Sequence, residues 1–405
     1  MMSSAFKIAQ ASPARDQTVS TSIRGLPWAI SIIFYLLSNN NYLGLLSTHQ
    51  PVSMSVPSSF RAALLHEKSP KHTIAERSLG PLGSDEVAIK ITATAINPVD
   101  WKIRDYFVFL TSYPAVLGSD AAGEIIAVGD SVQNLAVGDR VFFQGIIRNY
   151  DASTFQQYCK MPAELVGKTP KAISDQQAAG ISLATVAGIT GLYDKTGRGL
   201  APPPWEQGGD RAGSGKALVV IGGSSSVGQY VIQLARLSGY DRIVTNSSLT
   251  HEAHLKELGA HVVLDRKQAG PQDFVAALNG LPLDFVFDAI STADTQKLGV
   301  EILNSAGVES QVVVVQAVNS EAKELGASKS PKIDVRQVLG LGSSPDLRYL
   351  SVPLMKSLGG EDGWLATGKF TPNRPVVVDG GLDKIDEALD KNRAGVSGEK
   401  VVILP

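Results

Sequence analysis

From Lys216 to Gln316 the apolar and polar positions fall into alternating short runs and helix-length amphipathic stretches. The spacing predicts strands at 217–221, 242–246, 262–264, 284–288 and 311–316, and helices at 226–238, 250–258, 271–278 and 292–303 between them. Strands that alternate with helices in this way build a parallel sheet covered on both faces. Residues 59–168 read differently. Val87–Ile96, Gly123–Gly129 and Asp139–Phe143 are short β-rich stretches, with turn signals at Gly129-Asp130 and Gly138-Asp139. They predict a β-rich, barrel-like domain. Residues 174–190 are small and helix-compatible, and the Gly/Pro-rich stretch 197–215, with Pro202, Pro203 and Pro204, reads as a loop. Beyond Gly342 the pattern changes to a helix near 346–358, a strand at 375–378, a helix at 382–391 and a strand at 400–404. This tail is expected to return to the first domain. The resulting division is 57–180, 181–344 and 345–405, preceded by an extension over 1–56.

The junction of the first parallel strand with its helix carries the clearest chemistry. A β-branched run ends in Gly222, Gly223, Ser224, Ser225, Ser226, Val227 and Gly228, and an apolar helical run follows. Strand, tight turn and helix in that order make a cradle where backbone approaches a pyrophosphate and helix N–H groups point at it. The glycine spacing fits the dinucleotide fingerprint G-x-G-x-x-G only loosely. The second strand ends at Thr245-Asn246-Ser247-Ser248 without the Asp or Glu that binds a ribose 2′-hydroxyl in NAD-specific domains. A 2′-phosphate therefore meets no carboxylate there. Ser247 and Ser248 are candidate donors to it, with His251, His254 and Lys256 close in sequence, and NADPH is the expected cofactor.

Charge is nearly balanced, with 37 Lys and Arg against 39 Asp and Glu, and no basic stripe with interleaved aromatics occurs, so nucleic acid is not an expected partner. The single cysteine, Cys159, excludes an internal disulfide and any multi-cysteine metal site, and it reads as a packed strand residue. In the extension, Asp16 is the only acid before Glu67. Its apolar run Leu26–Leu37 contains Pro27 and Ser31 and falls short of the roughly 20 residues that span a bilayer. Stable membrane association is not expected, and the expected location is cytoplasmic. Two readings of the extension stay open. Scattered Lys7, Arg15 and Arg24 suit a mitochondrial presequence; alternatively Met54 is the natural start and the segment is disordered or outside the working protein.

The run Leu117–Gly129, in the pattern L-G-x-D-x-A-G-x-I-x-x-V-G, and Val137–Val141 (V-G-D-R-V) resemble the medium-chain dehydrogenase/reductase superfamily. Asn97–Lys102, Thr185–Thr190 and Ser397–Val402 are similar to further motifs of that family. The resemblance implies a GroES-like β-rich catalytic domain plus a Rossmann doubly wound parallel sheet, an α/β chain overall. Zinc-dependent alcohol dehydrogenases of the family carry Cys where Asn97 stands and Gly-His-Glu where Gly118-Ser119-Asp120 stands. No metal site is therefore expected. The chain is similar to the zinc-independent branch of quinone and enoyl reductases, and within it to fungal-type trans-acting enoyl reductases. That subgroup often has Cys where Ser119 stands.

This resemblance implies hydride transfer from NADPH to the β-carbon of an activated double bond on a small-molecule or carrier-bound acyl substrate, in secondary metabolism, with transient contact to a polyketide synthase. NADPH quinone reduction and a non-catalytic nucleotide-binding role are the alternatives. The pocket is expected between the domains, near the C-terminal ends of the parallel strands. Asn97 and Thr185 are expected at the cofactor, and Val315 and Gln316 on its nicotinamide side together with Leu341 and Gly342. The Asn97–Lys102 loop is expected to reach the cleft, with Lys102 polarising the substrate oxygen and Asp100 orienting the loop rather than acting as an acid. Tyr106 and Tyr150 qualify as proton donors by chemistry alone, and packing is the reading preferred for both. Asp288 is expected to bond neighbouring backbone N–H groups.

Overall fold

The computed structural model describes residues 56–405. The extension and its possible start at Met54 lie outside the described residues. The first lobe opens with β1 (Phe60–Leu65), β2 (His72–Arg77) and β3 (Glu86–Ala95). Helix α1 (Pro98–Tyr106) follows, then β4 (Ala115–Val116), β5 (Ala121–Val128), β6 (Arg140–Phe143), β7 (Tyr158–Pro162) and β8 (Val166–Lys168). Helices α2 (Asp175–Ala178) and α3 (Ser182–Tyr193) lead out of it. The second lobe alternates: β9 (Ala217–Ile221), α4 (Ser226–Leu237), β10 (Arg242–Ser247), α5 (Glu252–Leu258), β11 (Val262–Asp265), α6 (Pro271–Ala277), β12 (Leu283–Asp288), α7 (Ala293–Ala306), β13 (Gln311–Val314), α8 (Ser320–Ser328) and β14 (Asp334–Gln337). Then come α9 (Arg348–Leu358), β15 (Arg374–Val377), α10 (Ile385–Ala394) and β16 (Glu399–Ile403).

The second lobe is one parallel sheet in the order β11-β10-β9-β12-β13-β14. Its central strand is apolar throughout because both faces are covered. Ala217, Val219 and Ile221 enter one apolar cluster, while Leu218 and Val220 enter the other with Phe285 and Phe287. A strand buried on both sides reads as an unbroken apolar run, not as an alternation. The order reverses between β9 and β12, which opens the crevice where ligands of such sheets bind. The first lobe holds a mixed sheet, β15-β16-β3-β5-β6-β8 with β7 paired to β3, and a three-stranded sheet β2-β1-β4. Strands β15 and β16 therefore do return to the first lobe, β16 lying antiparallel beside β3. Cys159 lies fully buried in β7.

Two expectations are corrected. Asn97–Lys102 is not a loop: Asn97 caps α1, Pro98 takes its first position, and the Asp100 side chain accepts from the Asn97 N–H. Proline is tolerated at that position because its missing N–H would have had no acceptor there. The helix expected at 250–258 begins as a 3-10 turn over Leu249–His251. Helix α8 and the exposed edge strand β14 were not foreseen; the polar stretch Asp334–Gln337 carries no apolar periodicity.

Candidate active site and cofactor cradle

The cradle is built by close backbone packing. Gly222 has φ +81°, and a Cβ there would lie 2.3 Å from Ile290 Cγ1. A Cβ on Gly223 would meet Thr245 Oγ1 at 2.2 Å, and one on Gly228 the Gly222 carbonyl oxygen at 2.3 Å. Only glycine fits at these positions. The turn is fixed from β10, where Asn246 Oδ1 accepts from Gly222 N–H at 2.9 Å. Gln229 Nε2 donates to the Ser224 carbonyl at 3.0 Å. Ser225 caps α4 by accepting from Gly228 N–H at 3.0 Å. The Gly228 N–H is thus taken, and Ser226 and Val227, at the first two helical positions, carry the N–H groups that have no intrahelical acceptor.

At the end of β10, Ser247 is buried and its Oγ has no hydrogen-bond partner. Ser248 Oγ lies 2.9 Å from Thr250 Oγ1. His251 bonds Ser397 Oγ at 2.8 Å, and its pKa is lowered by burial first and then by the charges of Arg374, His254 and Arg266. Two arginines thus lie near it, with Glu399 acting in the opposite sense. Lys256 takes little part, since it pairs with Glu252 at 2.7 Å.

The two lobes meet over this sheet edge. Lys102 of α1 donates to Gln316 Oε1 at 2.5 Å, and Gln316 Nε2 donates to the Ile290 carbonyl at 2.6 Å. Partial burial lowers the Lys102 pKa. The Val315 N–H donates to Ser291 Oγ at 2.9 Å. On the other side, Gln144 donates to the Gly340 carbonyl at 2.7 Å and accepts from Gly342 N–H at 2.9 Å. Between these crossings lies a buried polar network. Asn97 Nδ2 donates to Asp120 Oδ2 at 3.2 Å, Lys400 Nζ donates to Asn97 Oδ1 at 2.5 Å, and the same ammonium is 3.4 Å from Asp120. Asp120 Oδ1 accepts from Leu183 N–H at 2.9 Å, and Ser119 Oγ donates to Asp100 Oδ1 at 2.8 Å. Desolvation pushes Asp120 up to about 6 against the pull of Lys400, and pushes Asp100 up to about 7.

Two family models match the chain: the alcohol dehydrogenase GroES-like domain over residues 83–171 and the zinc-binding dehydrogenase model over 226–343. The trans-enoyl reductase himH of Aspergillus japonicus is 32% identical over 332 residues, covering 78% of this chain and 89% of that protein. The chain belongs to the medium-chain dehydrogenase/reductase superfamily. Similar solved folds agree. An alcohol dehydrogenase superfamily protein from Novosphingobium aromaticivorans matches with a TM-score of 0.68 at 22% identity, covering 85% of this chain and 99% of that one. CurK enoyl reductase matches at 0.63 and 18% identity, covering 86% and 99%. A nicotinamide-dependent oxidoreductase of this superfamily has its GroES-like and Rossmann lobes where the β-rich and parallel sheets lie here.

Zinc, which the name of one matching model implies, does not fit the residues of this superfamily member. The positions that carry the metal's ligands in zinc-dependent relatives hold Asn97 and Asp120, closed around the Lys400 ammonium, and Ser119, bonded to Asp100. A buried cation already balances the one carboxylate there, and among the described residues no cluster of His, Cys, Asp or Glu could hold a metal ion. A nicotinamide dinucleotide does fit. The cradle leaves no room for side chains at three glycines, and Ser247 presents a buried hydroxyl without a partner.

Of the other residues singled out in the sequence, Thr185 is fully buried and donates to its own helix at the Ile181 carbonyl, 2.6 Å away. Tyr106 is exposed. Tyr150 Oη donates to the Ser112 carbonyl at 2.6 Å and accepts from Ser112 N–H at 3.2 Å, so it serves the loop it packs against. Asp288 accepts from Ile290 and Ser291 N–H as expected, and burial raises its pKa. Sequence reasoning missed Lys400, Asp120 and the Ser119–Asp100 bond. The motifs Ser397–Val402 and Leu117–Gly129 held these residues, but nothing in either showed that they meet. Among the described residues no helix is long and apolar enough to cross a membrane.

Proposed function

We propose that the protein is a zinc-independent, NADPH-dependent enoyl reductase that acts on an α,β-unsaturated acyl thioester, carrier-bound, in secondary metabolism. Bound NADPH would supply the hydride to the β-carbon. The observation that carries the reading is the Lys102–Gln316 bond, which holds a half-buried ammonium over the mouth of the crevice where the nicotinamide is expected. Hydride addition to an enoyl thioester builds negative charge on the carbonyl oxygen, and a fixed cation with few competing waters stabilises it. Lys102 performs that task by exchanging Gln316 for the substrate oxygen. The Ser247 hydroxyl and the two arginines near His251, Arg266 and Arg374, support a 2′-phosphate rather than a bare ribose. The name of the himH relative supports the enoyl substrate. A transient partner of polyketide-synthase type, presenting the acyl group, follows from the same reading, and so does a cytoplasmic location.

Titration with NADPH and NADH followed by cofactor fluorescence tests the cofactor, and turnover of enoyl thioesters against quinones tests the substrate. Tight NADPH binding with weak NADH binding and preferential thioester reduction are expected. Quinone reduction without thioester reduction would replace the substrate reading, and absence of binding would favour a non-catalytic role.

A further inference from the structure

The reading above leaves the proton for the α-carbon without a source, and the structure offers one on the floor of the cleft. Ser119, buried just before β5, bonds to α1 through its hydroxyl and through its carbonyl to the segment that crosses to the Rossmann lobe. Its carbonyl accepts from Gly145 N–H at 3.1 Å, and the adjacent Gln144 crosses to Gly340 and Gly342. On its other side Asn97 Nδ2 lies 3.5 Å from the Ser119 hydroxyl, and Lys102 of the same helix crosses to Gln316. The hydroxyl itself donates to Asp100 Oδ1 at 2.8 Å. Behind this pair lies a cavity of about 10 Å³ lined by Asp100, Ser119, Phe109, Arg148 and Tyr150. That volume is room for a single water. A hydroxyl, a carboxyl and a water-sized cavity thus adjoin one another, and Phe109 at the cavity's edge is exposed.

We propose that Ser119 and Asp100 form the relay that protonates the α-carbon, Ser119 as the terminal donor and Asp100 as the positioning acid behind it. The proposal rests on the enoyl reductase reading. As the hydride bonds to the β-carbon, the C=C pair moves toward the carbonyl oxygen and an enolate results. The enolate then takes the Ser119 hydroxyl proton at its α-carbon, the new C–H bond forming from the enolate pair. With Asp100 protonated, the 2.8 Å contact runs the other way, Oδ1–H donating to Ser119 Oγ and freeing the Ser119 proton for the enolate; Oγ then takes the Oδ1 proton and Asp100 is left as carboxylate. The Asn97 N–H, 2.7 Å from Oδ2, and the Lys400 charge stabilise that carboxylate. Water at the cavity edge by Phe109 and Arg148 carries in a solvent proton that reprotonates Asp100, so each turnover consumes one NADPH and one solvent proton.

Asp100 suits the task because it holds its proton to about pH 7, desolvation being the main cause. The charged and titratable groups around it are Asp120 and Lys400 in the network, Arg148 and Tyr150 across the cavity, and Lys102 and Arg104 further along α1.

The test is steady-state reduction of a crotonyl thioester by NADPH in H2O and D2O, with wild type, S119A, S119C and D100N. Asn at 100 retains an oxygen for the Asn97 N–H, so α1 keeps its cap. NADPH affinity, read by fluorescence, checks that each variant is folded. Wild type is expected to lose turnover as pH rises through about 7 and to place deuterium on one face of the α-carbon. S119A and D100N should lose about 10²- to 10⁴-fold in turnover, the range of general acid catalysis. They should also lose the falling pH limb and deliver deuterium to both faces. S119C, which keeps a transferable proton, should restore single-face delivery. Wild-type turnover and single-face deuteration in S119A would overturn the relay while leaving the enoyl reductase reading intact. A wild type that binds NADPH but reduces no enoyl thioester would overturn that reading, and the relay with it.

Discussion

At the scale of single residues the cradle tolerates little. Gly223→Ala drives a methyl to within 2.2 Å of Thr245 Oγ1, itself bonded to the Val220 carbonyl. The expected cost is on the order of 1–3 kcal/mol, typical of overpacking, with loss of NADPH binding, both visible in a thermal melt with and without cofactor. Lys102→Ala should lower kcat with the thioester while leaving NADPH affinity in place; unchanged turnover and substrate affinity would remove Lys102 from the mechanism. Asp100 sets a pH dependence of stability. In the unfolded chain it gives up its proton near pH 4, whereas in the fold it holds it to about 7. Between these values the native state binds more protons, so stability falls as pH rises. The carboxylates held below their usual range, Asp194 and Asp386, titrate below this window and do not offset the fall. Below pH 6.5 His251 and His261, whose pKa values burial lowers, work the other way, so the Asp100 share is read as a difference: between pH 5 and pH 8 the Tm of the wild type should fall relative to that of D100N.

At the scale of elements, legibility followed how locally each element is encoded. The central strands of the Rossmann lobe were plain because burial on both faces demands unbroken apolar runs. Helix α1 was hidden because its identity rests on a cap and on proline at the first position, both of which also read as turn signals. Helix α4 makes the same point in reverse: Ser225, expected at the cofactor as part of the cradle, also caps the helix, its hydroxyl accepting from Gly228 N–H. Ser225→Ala should therefore destabilise the fold by about 1 kcal/mol, the usual worth of such a cap. Its effect on NADPH affinity should be smaller than that of Ser247→Ala. Parallel denaturation and cofactor titration of the two variants would separate these roles. Strand β14 escaped notice because it is a polar edge strand, paired by backbone alone with β13.

At the scale of the whole molecule, the division into lobes was legible and the chemistry between them was only half so. The cofactor side lies within consecutive residues, so a motif could find it. The floor of the cleft joins Asn97, Asp100, Ser119, Asp120 and Lys400, which approach only once β3, β5 and β16 are paired. No local pattern records such a meeting. Gln144 is the corresponding link on the far side, and Gln144→Ala should loosen both its bonds to 340–342. A raised KM for the thioester is expected, with the Rossmann lobe's own NADPH affinity nearly unchanged.

Lys400 also has a consequence in time. It reaches Asn97 across 303 positions of chain. A ribosome that has released β1 to β8 and the whole nucleotide lobe has still not delivered the ammonium that neutralises Asp120. Until that strand emerges, a desolvated carboxylate and an open sheet edge at β3 await their partner. Nascent chains stalled before 399 should therefore bind the cofactor yet remain substrates for holdase chaperones. A strand made late acts as the latch of a sheet begun early.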